Sequence, residues 1–297
     1  MFKNLQLYRL PAPWNMTADR LGAQLERKHF QPCGAMDMQS SGWVSPRDGS
    51  FVHAVENQWL ITLCVEQKIL PGAVVNQAVK ERAAEIEEQQ GSKPGHKQMK
   101  EIKELVIEEL IPRAFSTRKT VMIWIDPKNG WLAVDTSSQS KAEAALDVLR
   151  KALDDLPLSL LRTNTSPASA MASWLVGNEA PAGFSVDRDC ELRACSEEKA
   201  TVRYAHHPLD AKDVRQHISD GKQPTRLAMT WNDRLSFVLT DALQVKRLAF
   251  LDVVLEEAEE QAETVEEQFD ASFAIMTGEL SRFLPDMVET LGGEVQE

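Results

Sequence analysis

Four lysines, Lys93, Lys97, Lys100 and Lys103, recur at spacings of three and four residues, which sets them along one side of a helix. An ammonium row of this kind can follow a line of phosphates, gaining affinity by displacing condensed counterions while reading no base. With its neighbouring glutamates the same row also reads as a solvated helix face, the ordinary role of a charge run. Residues 91–120 carry seven cations, these lysines with Arg113, Arg118 and Lys119, plus His96, against Glu101, Glu104, Glu108 and Glu109. Further basic side chains stand at Arg203, Lys222, Arg226, Lys246 and Arg247. Neighbours on a strand face opposite ways, so at most one of Lys246 and Arg247 is expected to point at a shared ligand.

Two other groupings invite different chemistry. Cys190, Cys195, His206 and His207 are zinc-type ligands, but adjacent histidines on an extended segment diverge and the spacing fits no common finger. The four cysteines are expected instead to be small buried hydrophobes. Asp126 and Asp135 flank a hairpin and would be the metal-binding carboxylates of a nuclease. Strand-end polarity explains them more simply, and no third ligand is fixed nearby. The chain has no G-x-S-x-G, Walker A or H-E-x-x-H motif, so no enzyme, cofactor or metal site is expected.

The net charge of −12 argues at first against nucleic acid. Its distribution alters that reading. Residues 251–297 hold fourteen acidic side chains and one basic, Arg282, while the preceding 250 hold 32 basic and 31 acidic. Screening over a Debye length of roughly 8–10 Å leaves room for a separate basic surface upstream. The acidic run 256–267 offers the competing reading, a protein-interaction module whose acidic helix docks a basic partner without DNA. No apolar run approaches the roughly eighteen residues of a membrane span, and the first ten residues alternate like a strand, so a cytoplasmic protein is expected.

The elements that must carry these residues read as α+β. A strand is expected over 3–10, and a helix over 17–28 with Thr17 as its N-cap. FVHAVENQWLITLCV predicts two strands around Asn57-Gln58. Pro71 opens a long helix to about Gln90, Gly91–Gly95 break it, and a second helix runs from about Lys97 to Leu110, giving a projecting helical hairpin. VMIWID and WLAVDT flank Asn129-Gly130 as a β-hairpin, followed by an amphipathic helix over 139–153. Strand–strand–helix thus occurs twice, at 51–90 and 121–153, suggesting two related units. Residues 157–208 read as irregular, with short strands and a small helix near Trp174, 209–220 as a helix, and LAMTW, LSFVL and LQVKRLAF as a meander. A charged helix near 251–262 precedes an apolar one near 269–291, which Pro285 should kink or split.

Several stretches together resemble the RdgC family: FKNLQLYRL (2–10), FQPCGAMDM and GWVSP (30–38, 42–46), KILPGAVVNQAV (68–79), LIPRAFS (110–116), MIWIDPKNGWLAVDTSSQSKAEAALDVLRKAL (122–153) and FDASFAIMTGELSRFLPDMVETLGGE (269–294). The resemblance implies a bacterial protein that binds double-stranded DNA, and single-stranded DNA as well, without sequence preference. It also implies a nucleoid location and opposition to the RecA recombinase through shared DNA. A horseshoe-like subunit is implied, with a helical tip at 71–120, a base at 155–222 and a centre from 1–70, 121–154 and 223–297. Two such subunits would close into a ring-shaped homodimer around duplex DNA, with Phe115 at a tip contact; the plainer role for Phe115 is a core anchor. Family members carry a polar, lysine-rich run where this chain has Arg203-Tyr204-Ala205-His206-His207-Pro208. Arg203 persists, while the two histidines weaken the neutral-pH contact expected there and make it titratable.

Overall fold

A computed structural model describes residues 1–47, 49–210, 212–259 and 264–295, without the side chains of 257–259, 265 and 266. The chain folds as α+β around two antiparallel sheets. The first has seven strands: β1 (Gln6–Arg9), β2 (Gln39–Val44), β3 (His53–Val55), β4 (Gln58–Lys68), β5 (Ser116–Asp126), β6 (Trp131–Val134) and β7 (Ser159–Leu160). Their order is β2-β4-β5-β6-β1-β7, with β3 also on β4. The turn between β3 and β4 falls at Glu56-Asn57, one residue earlier than expected, with Glu56 left-handed and Gln58 already paired to Val55. Because β4 and β5 pair directly through ten residues, the two strand–strand–helix stretches share one sheet rather than forming separate units.

Period-two alternation sorts this sheet into two cores. Leu60, Trp124, Ala133 and Leu7 lie in register across β4, β5, β6 and β1 and face one side. The next row, Trp59, Ile125, Leu132 and Tyr8, faces the other. There it meets helices α1 (Ala18–Glu26) and α4 (Gln139–Ala152) through Leu21, Leu25, Ala142, Leu146 and Leu149. Thr17 caps α1 as its sequence requires, accepting from the Arg20 N–H.

Between β4 and β5 the chain leaves the sheet to make α2 (Gly72–Gln90) and α3 (His96–Leu110). These helices pack on each other through Val75, Val79, Ile102 and Val106, a small core distinct from the other two. Left-handed Gly91 ends α2. A short 3-10 turn at Ile111–Arg113 returns the chain to β5.

After α5 (Pro167–Gly177) the expected irregular stretch contains an eleven-residue strand, β8 (Phe184–Ala194), and then β9 (Thr201–Tyr204). Bulges interrupt the pairing of β8 with β10 (Lys222–Trp231), and Arg188 breaks an otherwise regular alternation of apolar and polar residues along β8. Helix α6 (Lys212–Ser219) precedes β10, and β11 (Leu235–Thr240) and β12 (Val245–Phe250) complete the second sheet, ordered β12-β11-β10-β8-β9. Reciprocal backbone bonds between Leu5 and Val245 join the two sheets.

After α7 (Asp252–Glu259), helix α8 (Val265–Thr290) fills the space between the sheets. Thr264 and Glu267 form a capping box at its start. Pro285 does not split it; the helix is continuous past that residue. Phe283 is fully buried against Phe237, Trp231 and Phe184, with ring centroids at 4.8, 5.7 and 6.4 Å. The apolar stripe expected near 269–291 is therefore core-facing. Of the acidic run 256–267, residues 260–263 and most flanking side chains lie outside the described residues. No described helix is long and apolar enough to cross a membrane.

Candidate nucleic-acid interface

The second sheet buries one face, with Leu227, Met229, Trp231, Leu235, Phe237, Leu239 and Val245 in the shared core. Its other face is charged. Across that face Glu191 of β8 sits opposite both Arg203 of β9 and Arg226 of β10, while Lys246 of β12 sits opposite Val238 of β11. A cleft of about 190 Å³ lies there, lined by Asn4, Ser137, Asp189, Cys190, Glu191, Arg203, Tyr204, Arg226, Val238, Lys246 and Arg247. Four cations from three strands and two carboxylates thus share one concavity.

Lys246 and Arg247 both line it, against the expectation that only one of them could. The reason is a β-bulge: between the pairs Val238–Lys246 and Ser236–Ala249, β12 carries two residues where β11 carries one. Arg247 takes the extra place with φ of 51° and turns back to the face that Lys246 occupies. Its guanidinium is held by Asp189 at 3.6 Å, and its N–H donates to the Asn4 side chain.

The carboxylates divide the cations into two kinds. Partial burial works against ionising Glu191, but the Thr225 hydroxyl and the Arg226 and Arg193 guanidiniums outweigh it and hold the carboxyl below the usual range. Glu191 therefore stays anionic, 3.2 Å from Arg193 and 4.0 Å from Arg226. Arg226 and Arg247 are thereby partly neutralised. Arg203 and Lys246 have no ion pair among the described residues, and so present uncompensated charge to an anion.

The histidines lie past the end of β9 and on α6, and Tyr204, paired with buried Cys190, turns its ring toward them and away from the face of Arg203. His206 is exposed and His207 half-buried. The Tyr204 ring lies 5.2 Å from that of His207 and 6.4 Å from that of His217, and its hydroxyl donates to Asp213. Lys222 is half-buried at the start of β10, its Nζ 3.1 Å from His217 Nδ1.

The remaining sequence candidates lie elsewhere. Lys93 is in the turn before α3, and His96, Lys97, Lys100 and Lys103 are on α3, all exposed. At 100° per residue the three lysines of the helix fan over about 120° of its surface. Lys100 pairs with Glu104 at 3.9 Å. Arg113 is exposed on the 3-10 turn. Arg118 and Lys119 are on β5 instead of the helical pair, and they part company there. Arg118 meets Glu66 at 3.4 Å and covers the Phe30 ring, whereas Lys119 lines a separate groove against α4 with Lys141.

Phe115 is 85% exposed, so it is not the core anchor of the plainer reading. Its carbonyl accepts from the Ile69 N–H, and the neighbouring Lys68 N–H donates to Met38. Ile69 and Phe115, both exposed, are thus neighbours across the strands, while Met38, also exposed, stands in the adjoining row with Lys68.

The rival sites do not assemble as metal centres. Asp126 is fully buried and spends its oxygens on the Lys128 and Asn129 N–H groups, the Asn129 amide and the Ser281 hydroxyl. Asp135 accepts from the Lys3 and Asn4 N–H groups at the other end of the hairpin, four residues along β6 from the partner of Asp126, or about 13 Å. Burial pushes the Cys190 thiol up to about 12, far from the thiolate a metal needs. Cys195 is exposed and Cys33 half-buried, so only Cys64 and Cys190 are the buried cysteines expected of all four. No group of three His, Cys, Asp or Glu among the described residues is placed to hold a metal ion.

Sequence reasoning missed Asn4, Ser137, Asp189, Glu191 and Tyr204, which tertiary pairing brings to the cleft. One signal for the bulge was legible: in VKRLAF the inward residues Val245 and Leu248 are three apart, not two.

The family model described as "Putative exonuclease, RdgC" matches residues 1–294. Among similar proteins, the recombination-associated protein RdgC of Dechloromonas aromatica is 57% identical over 300 residues, covering 100% of this chain and 99% of its own. Those of Cupriavidus pinatubonensis and a Janthinobacterium species are 57% and 56% identical, covering 99% and 100% of this chain and 98% and 99% of their own. Their names carry recombination and no enzymatic activity.

Proposed function

Because the chain belongs to the RdgC family of recombination-associated proteins, we propose that it binds DNA without sequence preference and acts in recombination through that binding. The observation that carries this reading is the convergence of Arg203, Arg226, Lys246 and Arg247 on one sheet face. Guanidinium and ammonium groups with no base-reading scaffold around them suit phosphates, which position a protein on nucleic acid but carry no sequence information. Lys93, His96, Lys97, Lys100, Lys103 and Arg113 supply a second basic track on the helical pair.

In this reading two subunits close into a ring around duplex DNA. Phe115 with its cross-strand neighbour Ile69 forms the contact between the projecting helical tips, since so exposed a phenylalanine calls for a cover. The ring holds no catalytic centre, sits on the nucleoid and opposes the RecA recombinase by occupying shared DNA. The spent hydrogen bonds of Asp126 and its separation from Asp135 support the non-catalytic part.

Titrating the protein into a labelled duplex of arbitrary sequence, between 50 and 200 mM salt, tests the central claim. Binding at low salt with a log–log salt slope steeper than about −2, and equal affinity for unrelated sequences, is expected. No binding at 50 mM would refute it. Light scattering alongside should return twice the chain mass.

A further inference from the structure

The face of the first sheet that meets α1 and α4 is covered over only part of its length. Toward the far ends of β4 and β5 two rows border open space instead, Ser41–Val65–Lys119 and then Gln39–Gln67–Thr117, in register across β2, β4 and β5. Leu63 and Val121 stand in the row before them; Leu63 is buried, while Val121 and Val65 are only half-buried. Between these rows and α4 lies a groove of about 370 Å³. Its wall is one flank of α4, Lys141, Ala144, Ala145 and Val148, at the spacing that makes a continuous stripe along a helix. We propose that this groove docks an amphipathic helix of another protein, apolar on the side laid into it and acidic along its edges.

The geometry asks for a helix. The α4 flank spans roughly 10 Å, and the strand rows from Leu63 to Gln67 roughly 13 Å. That is room for about two helical turns, with apolar side chains entering at i, i+3 or i+4 and i+7. Ala144 and Ala145 keep the wall low, so an incoming backbone can approach at the close end of the usual range, roughly 8–10 Å between helix axes. Charge then selects the occupant. Lys119 from the floor and Lys141 from the wall are both exposed, and neither has an ion pair among the described residues. The acids beside Lys141 on α4 are engaged elsewhere: Glu143 accepts from the Gln139 amide, and Asp147 pairs with Arg150. Asp135, the single acid among the described lining residues, accepts from the Lys3 and Asn4 N–H groups. Duplex DNA suits the groove poorly, since phosphates set against Leu63, Val65 and Val121 would lose water without gaining donors. The chain's own acidic helix α7 lacks the required stripe: its exposed Val253 and Leu255 lie about 200° apart around the axis.

The probe is a fluorescein-labelled, side-chain-stapled helix of about three turns, with leucines at i, i+3, i+4 and i+7 and glutamates along both edges. A second version carries lysines in place of the glutamates. Anisotropy with the full chain should show the acidic peptide binding at least about tenfold tighter than the basic one. K119E/K141E should reverse that order. A144W, at an exposed position of the wall, should fill the groove and abolish binding of the acidic peptide, with the urea midpoint of the chain unchanged. If A144W does not fold, the charge reversal alone decides. No binding of the acidic peptide, equal affinity for the two peptides, or affinity untouched by K119E/K141E overturns the proposal. So does displacement of the peptide by an unrelated duplex, which would assign the groove to DNA. A peptide that halves the mass seen by light scattering also overturns it, because the groove would then be a contact between copies of this chain.

Discussion

Replacing Arg203 and Lys246 together by alanine removes the two cleft cations that hold no ion pair among the described residues. Each cation neutralising one phosphate contributes about 0.9 to the log–log salt slope, so the double variant should flatten the slope by about 1.8. At 0.1 M salt that corresponds to a loss of roughly 60-fold in affinity, taken from the same counterion release. The structure also fixes the sign of a companion change. Glu191 holds Arg193 at 3.2 Å and Arg226 at 4.0 Å, and its carboxyl is kept below the usual range, so it is a full negative charge in the cleft. E191Q retains hydrogen bonding to Thr225 but releases both guanidiniums, and should tighten binding. Fluorescence anisotropy on a labelled duplex, at several salt concentrations from 50 to 200 mM, reads both quantities. A slope unchanged in R203A/K246A would place the DNA elsewhere on the molecule. Weaker binding by E191Q would show that the cleft is organised by its ion pairs and does not work as a simple excess of charge.

Phe115→Asp should halve the mass seen by light scattering with no drop in the unfolding midpoint of the subunit, because the side chain is 85% exposed in the single chain; a mass that stays at two chains refutes the tip contact. Asp126→Ala should cost about 3 kcal/mol in urea unfolding, since it strips a buried carboxylate from the turn donors it serves. A folded D126A of normal stability would contradict the structural role given to Asp126. Burial lowers the pKa of His53 more than Asp270 raises it, so the unfolded chain takes up that proton first. Stability should be full above about pH 6.5, fall as pH drops through that value toward the lower folded one, and level off below it. Urea midpoints of the parent chain should follow that pattern, and H53F, which has no imidazole there, should show a smaller acid loss; equal losses in the two would refute the assignment. Phe283→Ala should cost about 3–5 kcal/mol, as the ring fills the space between the two sheets.

Most elements were legible because their signals are local. Thr17, Pro71 and Gly91 mark helix ends by backbone chemistry that needs no tertiary partner, and Asn129-Gly130 marks its hairpin in the same way. What the chain order hid was which strands share a sheet. A helical pair between β4 and β5 separates strands that pair through ten residues, and no periodicity reports an insertion of that kind. β8 was legible by its period: Phe184, Val186, Cys190, Leu192 and Ala194 alternate with Ser185, Asp187, Asp189, Glu191 and Arg193, and only Arg188 and the high charge mask it.

The candidate site shows the same division more sharply. Each cation in the cleft was visible as a residue, and none as a member of a group, because β9, β10 and β12 meet only through the sheet order. The strand rule then failed at Arg247 for a physical reason. A bulged residue in the left-handed region breaks the two-residue period, so Lys246 and Arg247 reach one face while Val245 and Leu248 still reach the core. Left-handed backbone is uncommon for arginine and persists only where the surroundings fix it. Here the Asp189 carboxylate and the Asn4 side chain do so, and Asp189 also fixes the turn at His206. One aspartate therefore holds a cleft arginine and the turn after β9 in place together. D189N, which keeps the hydrogen bond to the His206 N–H but weakens the hold on Arg247, should change the salt slope of duplex binding while leaving the urea midpoint in place. An unchanged slope would mean that Asp189 does not set the charge the cleft presents.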